Sequence, residues 1–149
     1  MSTISHTNRQ ERRRKRSRGY TLVELLVVLA ILAAIGLIAV PAYLNHLSKS
    51  RIRTAGIQIE RLGAILDAYL LDVGHYPSQD EGLQSLVSAP PGVDRWAGPY
   101  LRNREALTDP WGAPYVYRFP GRHGKYDLYS LGADGAEGGE GEDEDITSW

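Results

Sequence analysis

The chain contains no cysteine, so it can form neither a disulfide framework nor a thiolate metal site. Its four histidines are scattered and do not have the spacing of metal ligands. The sequence also lacks a nucleophile elbow and a glycine-rich loop of the kind that binds phosphate. Its 149 residues leave room for one modest domain. These absences predict that the protein is not an enzyme.

The chain also lacks a large net charge, but its charges are unevenly distributed. Residues 1–19 contain seven Lys or Arg residues and one acidic residue, whereas the remainder contains ten basic and seventeen acidic residues. A basic N-terminus can bind nucleic acid, face the inner side of a membrane, or form a leader that is removed. The segment that follows distinguishes these alternatives.

One long apolar run follows the basic N-terminus, at residues 20–45, and reads YTLVELLVVLAILAAIGLIAVPAYLN. About 20 apolar residues are enough to cross a bilayer as a helix. No other segment of the chain is apolar enough to surround this run as a buried core helix. The run therefore predicts a single membrane-spanning helix, and the preceding arginines predict a cytoplasmic N-terminus and an external C-terminus.

The apolar run differs from an ordinary secretory signal, which is shorter and ends in a small-x-small cleavage site. Ala33, Ala34 and Ala39 are small residues, but they lie inside a run that continues as helix, so cleavage there is the weaker interpretation. The sequence at 19–24, GYTLVE, instead resembles the site of the type IV prepilin peptidase. In that family a glycine precedes the cleaved bond, the next residue is usually phenylalanine, and glutamate is the fifth mature residue.

The resemblance implies that residues 1–19 form a leader cut after Gly19, and that the new amine of Tyr20 is methylated. Without the leader the mature protein has no basic segment to bind nucleic acid.

An acid in a spanning helix costs about 3 kcal/mol and normally has a partner. The resemblance implies that Glu24 pairs with the Tyr20 amine of a neighbouring subunit and sets the stagger of assembly. The alternative is that Glu24 is simply tolerated near the lipid headgroups.

Pro41 removes a backbone hydrogen bond and predicts a bend, as at the matching proline of pilins.

The helical pattern becomes amphipathic after residue 45. Apolar residues recur at steps of three and four and form one stripe: Ile52, Ala55, Ile59, Leu62, Leu66, Tyr69 and Val73. We therefore predict one helix from about Thr21 to Asp72, capped by Gly74. The capping-box pattern at 78–81 predicts a short helix through about Val87. An ordered loop at 89–114 and a hairpin with strands at 114–119 and 125–131 are expected to follow.

Several head motifs resemble the major pseudopilin family of the type II secretion system: VGHYP at 73–77, EGLQSL at 81–86, GPYL at 98–101, DPWGAPY at 109–115 and SLGADG at 130–135. The missing C-terminal cysteine pair argues against a typical type IV pilin. A type IV pilus subunit and a minor pseudopilin remain the alternatives. The resemblance implies an α+β pilin-like fold, with one long N-terminal helix packed on a small antiparallel β-sheet and a C-terminal calcium loop. The expected division is leader 1–19, membrane segment 20–45 and periplasmic head 46–149.

The chain ends in a glycine-rich acidic segment, with seven acidic residues among positions 134–145. Composition alone favours a disordered tail, but the apolar residues Ile146 and Trp149 indicate an anchored loop. Carboxylates and carbonyls suit Ca²⁺, although the spacing is not that of an EF-hand. The resemblance implies one structural Ca²⁺, with the Leu131 carbonyl and Asp134 as ligands. We predict that Asp143 and Asp145 are the later ligands, with Glu142 as the rival choice.

The resemblance also implies a mechanical function. Subunits polymerise into a helical periplasmic pseudopilus that drives folded proteins across the outer membrane. The expected partners are further copies of the chain, minor pseudopilins, the prepilin peptidase and the inner-membrane assembly platform, but not nucleic acid. The expected location is the bacterial inner membrane, crossed once, with the head in the periplasm.

Overall fold

The structure is a computed structural model that describes residues 20–149, so the leader and Gly19 lie outside the described residues. Its contacts divide the chain into a part that ends at Val40 and a part from Pro41 to Trp149. One helix, α1 (Leu22–Val73), is followed by three strands, β1 (Val116–Arg118), β2 (Asp127–Ser130) and β3 (Ile146–Thr147). Three short 3-10 helices, Leu83–Leu86, Arg104–Leu107 and Gly141–Asp143, lie in the connections. The boundary between the membrane segment and the head, expected at residue 45, stays a prediction.

The first part of α1 is capped by Thr21, whose hydroxyl accepts a hydrogen bond from the Glu24 backbone amide at 3.2 Å. The apolar side chains that follow are exposed along this segment. The helix is long and apolar enough to cross a membrane. No residue in its most apolar stretch is buried within the described protein. An apolar surface of this kind requires lipid or other protein around it.

The second part of α1 carries the predicted stripe. Six of its members are buried, namely Ala55, Ile59, Leu62, Leu66, Tyr69 and Val73. The five from Ile59 to Val73 form one core with apolar residues of the loops and sheet, including Leu86, Leu101, Tyr117 and Leu128. Gly74 ends the helix with a φ of +97°, and its amide donates to the Leu70 carbonyl at 2.8 Å. The predicted helix is therefore confirmed to within one residue at each end.

The predicted capping box forms, but the helix that should follow it does not. The Ser78 amide donates to Glu81 Oε2 at 2.7 Å, and the Glu81 amide donates to Ser78 Oγ at 3.3 Å. Gly82 then has a φ of +54°, which interrupts a right-handed helix. The prediction of a helix from 78 through about Val87 was therefore wrong, because only Leu83–Leu86 is helical and its form is 3-10.

The three strands form one antiparallel sheet in the order β1-β2-β3. Tyr117 pairs with Leu128 and Ser130 pairs with Ile146, so the predicted hairpin is confirmed with shorter strands. The chain end returns to the head as β3, which confirms the anchoring expected from Ile146. Two residues are too short to show the alternation that identifies a strand, so β3 itself was not predicted.

The turn of the hairpin is organised by Asp127, which is 1% exposed. Its carboxylate accepts from the backbone amides of Arg122 at 2.8 Å and His123 at 3.0 Å, and lies 3.3 Å from the His123 ring. Burial alone would raise the pKa of Asp127, but these donors outweigh it and hold the pKa below its usual value of 3.8. The ionised carboxylate therefore stabilises the folded head.

This stabilisation should depend on pH with a definite sign. Because the folded pKa is depressed, the contribution is present above pH 3.8 and is lost as the pH falls through the folded value. Asp127→Asn should therefore lower the melting temperature most at neutral pH, and the gap to wild type should shrink below pH 3.8. Thermal melts across that range test this prediction, and a gap that does not change with pH would contradict it.

Candidate functional site

The first candidate site is the N-terminal end of α1. Tyr20 is 84% exposed, and Glu24 lies exposed in the first turn of the helix. Among residues 20–149, the Glu24 carboxylate takes part in no ion pair, although the helix N-terminus favours a negative charge there. Gly19, the residue before the expected cleavage, lies outside the described residues. An exposed carboxylate with no ion-pair partner among the described residues is available to bind a group outside its own chain.

Pro41 lies inside α1, and the helix continues through it. Proline has no amide hydrogen, so the carbonyl of Leu37 loses its helical partner. The boundary between the two parts of the chain, which lies between Val40 and Pro41, coincides with this proline. The bend expected at Pro41 stays a prediction.

The second candidate site is the acidic loop, which we define as residues 131–145. The loop folds back tightly: the Ala133 amide donates to the Glu142 carbonyl at 2.9 Å. A Cβ on Gly132 would lie 2.9 Å from the Asp143 carbonyl oxygen, and one on Gly139 would come closer still to the same oxygen. Both glycines have positive φ, so any other residue there would be strained as well as crowded. The Asp143 carbonyl is thus enclosed by backbone.

The predicted metal ligands have different surroundings in this loop. Asp134 and Asp143 are exposed, and Asp134 Oδ1 accepts from the Ala136 amide at 3.0 Å. Asp145 Oδ2 accepts from the Gly138 amide at 3.0 Å, whereas Asp145 Oδ1 is buried without a hydrogen-bond partner. Within residues 20–149, no three His, Asp or Glu side chains are grouped closely enough to hold a metal ion by themselves. Any ion in this loop would therefore need backbone carbonyls as well.

Glu142, the rival ligand, has a different role that the sequence did not indicate. Its Oε1 accepts from Arg51 Nη1 on α1 at 3.2 Å and from the indole Nε1 of Trp111 at 3.1 Å. The Arg51–Glu142 ion pair is partly exposed, so its own contribution is small, of order 0.2–1 kcal/mol. The contact nevertheless joins three segments that are far apart in sequence. Only the acidic composition of the loop pointed to Glu142.

Burial shifts the pKa of several phenols in the core of the head. It raises the pKa of Tyr69 and Tyr126 to about 12. The pKa of Tyr76 also rises to about 12, through burial and then through the hydrogen bond that its hydroxyl donates to Asp67 at 2.7 Å. These tyrosines stay protonated at neutral pH. The Tyr76 hydroxyl serves as a hydrogen-bond donor, whereas the Tyr69 hydroxyl is buried without a hydrogen-bond partner among the described residues.

Two sequence profiles together cover almost the whole chain. The prokaryotic N-terminal methylation motif matches residues 14–40, which include Gly19, Tyr20 and Glu24. This places the chain among proteins that carry the prokaryotic N-terminal methylation motif. The profile of type II secretion system protein G matches residues 42–149, the entire head. The chain belongs to the type II secretion system protein G family.

Known relatives agree with this assignment. The type II secretion system core protein G of Pseudomonas aeruginosa is 39% identical over 141 residues, covering 91% of this chain and 97% of that protein. Its counterpart in Escherichia coli K12 is 40% identical over 137 residues, covering 90% and 92%. The crystal structure of the major pseudopilin from the type 2 secretion system of enterohaemorrhagic Escherichia coli superposes with a TM-score of 0.58 at 32% identity. That match covers 71% of this chain and 92% of the other.

These findings confirm the resemblance to the major pseudopilin family and the α+β pilin-like fold. The chain is a pseudopilin of the type II secretion system, and its relatives are structural proteins of that system. Its apolar N-terminal helix anchors it in a membrane. The calcium site and the roles of individual residues stay predictions.

Proposed function

We propose that copies of this chain polymerise into the periplasmic pseudopilus and drive folded proteins across the outer membrane. The observation that carries the proposal is the combination of a protein G head with an exposed apolar helix in one chain. An apolar helix with no cover of its own is suited to pack against other copies once it leaves the lipid. The function is mechanical, and no catalytic step is assigned to the chain.

The proposal includes a route to the fibre. The precursor inserts in the inner membrane with its basic leader in the cytoplasm and its head in the periplasm, as the arginine cluster favours. The prepilin peptidase cuts after Gly19 and methylates the amine of Tyr20. The assembly platform then adds subunits at the base of the fibre, and minor pseudopilins are further partners. The matched methylation motif supports the cleavage step.

Blocking cleavage tests this route. Gly19→Val should leave full-length precursor in the inner membrane, because a small residue is needed before the scissile bond. A matched control is Gly36→Val in the apolar part of α1, where an added Cβ meets nothing within 4 Å. Mass spectrometry of the mature N-terminus should show Tyr20 first in wild type and in the control. Maturation between Ala33 and Ala39 would refute the proposed processing.

We also propose that the acidic loop binds one structural Ca²⁺, held by the Leu131 carbonyl, Asp134, Asp143 and Asp145. Calcium is bound by carboxylate and carbonyl oxygens, and this loop is rich in both. The best support is Asp145 Oδ1, since a buried carboxylate oxygen without a donor is costly unless a cation compensates it. The Asp143 carbonyl adds a second oxygen of the same loop, where the backbone at Gly132 and Gly139 approaches it closely. These two oxygens support the proposal, and the ion would draw on carbonyls as well as carboxylates, because no three carboxylates of residues 20–149 are grouped closely enough to hold it alone.

The contacts of Glu142 favour the chosen ligands over the rival. Its Oε1 is shared by Arg51 and Trp111, so that oxygen is already satisfied by two donors. Asp134, Asp143 and Asp145 form no ion pair among residues 20–149. A bound calcium ion would supply positive charge to compensate these carboxylates, which otherwise repel one another.

A further inference from the structure

A buried carboxylate in the head contacts Ser130, the residue before the acidic loop, and the backbone of Trp111, whose indole contacts the loop. Asp109 lies between the second 3-10 helix and β1, and it is 7% exposed. Its Oδ1 accepts from the backbone amides of Trp111 at 3.0 Å and Ala113 at 2.9 Å. Its other oxygen accepts from the hydroxyl of Ser130. Among residues 20–149 Asp109 has no cationic partner, so these three donors compensate its charge.

The Ser130 hydroxyl connects Asp109 to the start of the loop. Ser130 is fully buried at the end of β2, and its single hydroxyl proton is donated to Asp109. The oxygen is then oriented to accept from the Gly132 amide, which it does at 3.2 Å. Gly132 has a φ of +69° and is the second residue of the loop. Asp109 thus orients the hydroxyl that holds the start of the loop.

Trp111 connects Asp109 to the end of the loop. The Asp109 carboxylate holds the backbone of Trp111, whose indole donates to Glu142 Oε1 at 3.1 Å. Arg51 on α1 donates to the same oxygen at 3.2 Å. Glu142 lies in the 3-10 helix Gly141–Asp143, ten residues after Gly132. The connection through Ser130 and the connection through Trp111 therefore start from the two carboxylate oxygens of Asp109.

We propose that Asp109 is the positioning residue of the acidic loop and sets its conformation through Ser130 at one end and Trp111 at the other. The loop needs such a restraint because five of its glycines, Gly132, Gly135, Gly138, Gly139 and Gly141, have positive φ. Glycine-rich backbone loses much conformational freedom on folding. Every contact in the network is between protein groups, so the proposal does not depend on the bound calcium ion.

Hydrogen exchange of the full chain in detergent tests this proposal region by region. All variants are compared in one calcium-containing buffer. Asp109→Asn keeps the size of the side chain but replaces the oxygen that accepts from Ser130 with a donor. Exchange of the bonded amides at both ends of the loop, at 132–133 and at 143, should rise roughly tenfold to hundredfold. Exchange in the buried half of α1, residues 55–73, should not change.

Two further variants separate the two connections. Ser130→Ala should accelerate exchange at the start of the loop. Trp111→Phe keeps an aromatic ring but lacks the indole N–H, and it should accelerate exchange at the end of the loop. Asp127→Asn is the matched control, since it removes another buried carboxylate that accepts from two backbone amides. That control should accelerate exchange in the hairpin turn at 121–126 and leave the acidic loop unchanged.

The outcomes are decisive in either direction. Faster exchange at one end for each single variant and at both ends for Asp109→Asn supports the proposal. If Asp109→Asn accelerates exchange throughout the head, the two single variants still decide, because each removes only one connection. Unchanged loop exchange in Ser130→Ala and Trp111→Phe, or equal acceleration in Asp127→Asn, would overturn it.

Discussion

Replacing Glu24 with alanine should prevent fibre assembly while insertion and cleavage after Gly19 continue. Insertion becomes easier by about 3 kcal/mol when the charge is removed from the apolar helix. Assembly loses the carboxylate that would pair with the Tyr20 amine of a neighbouring subunit. The start of the helix should be unaffected, because the Thr21 cap uses the backbone amide of residue 24, which alanine retains. Membrane fractionation and electron microscopy of sheared fibres measure the two steps separately.

The chain offers a matched control for this experiment. Glu60 is also an exposed glutamate of α1, but it lies in the half that belongs to the head. Glu60→Ala removes the same charge from the same helix and should assemble normally. Glu24→Gln should fail as Glu24→Ala does, since an amide keeps the shape of the side chain but lacks the charge. Normal fibres from Glu24→Ala would reduce Glu24 to an acid tolerated near the headgroups.

Removal of calcium should lower the stability of the head. A ligand that binds only the folded form stabilises it by about 2.7 kcal/mol at a hundredfold excess over its dissociation constant. For a domain of this size, the chelator should then lower the melting temperature by roughly 10–20 °C. The measurement is a thermal melt of a soluble fragment beginning near Ser48, with chelator and after calcium is added back.

A substitution in the acidic loop should reproduce the effect of the chelator. Asp134→Ala should lower the melting temperature of the calcium-containing protein and abolish its further response to chelator. Secretion should then fail, because too little of the subunit remains folded. Asp94→Ala removes an exposed aspartate from another loop and should respond to chelator as wild type does. An unchanged melting temperature of wild type in chelator would rule out the calcium site.

The long helix could be predicted because its signals are local and repeated. The apolar stripe of its second half recurs over six turns, and Gly74 follows it with the backbone conformation that ends a helix. The short helix after Ser78 shows the opposite case. Its capping box was identified correctly, but the positive φ of Gly82 breaks the helix, and a glycine in sequence does not reveal its φ.

The contacts that hold the acidic loop could not be predicted because their partners are distant in sequence. Arg51 and Glu142 are separated by 91 residues, and Trp111 and Glu142 by 31. Each of these residues alone resembles an ordinary exposed charge or loop aromatic. The motif around Asp109 resembles that of major pseudopilins, yet the hydrogen bond from Ser130 to Asp109 forms only when β2 is placed beside the motif. Tertiary packing, not local pattern, determines these interactions.

The composition of purified fibres tests the central claim most directly. Fibres are sheared from cells that produce the chain together with its secretion system, and their subunits are quantified by mass spectrometry. The account predicts that this chain is the predominant subunit and that it begins with N-methylated Tyr20. Fibres that lack the chain, or contain it only in trace amounts while secretion proceeds normally, would contradict its assignment as the major pseudopilin.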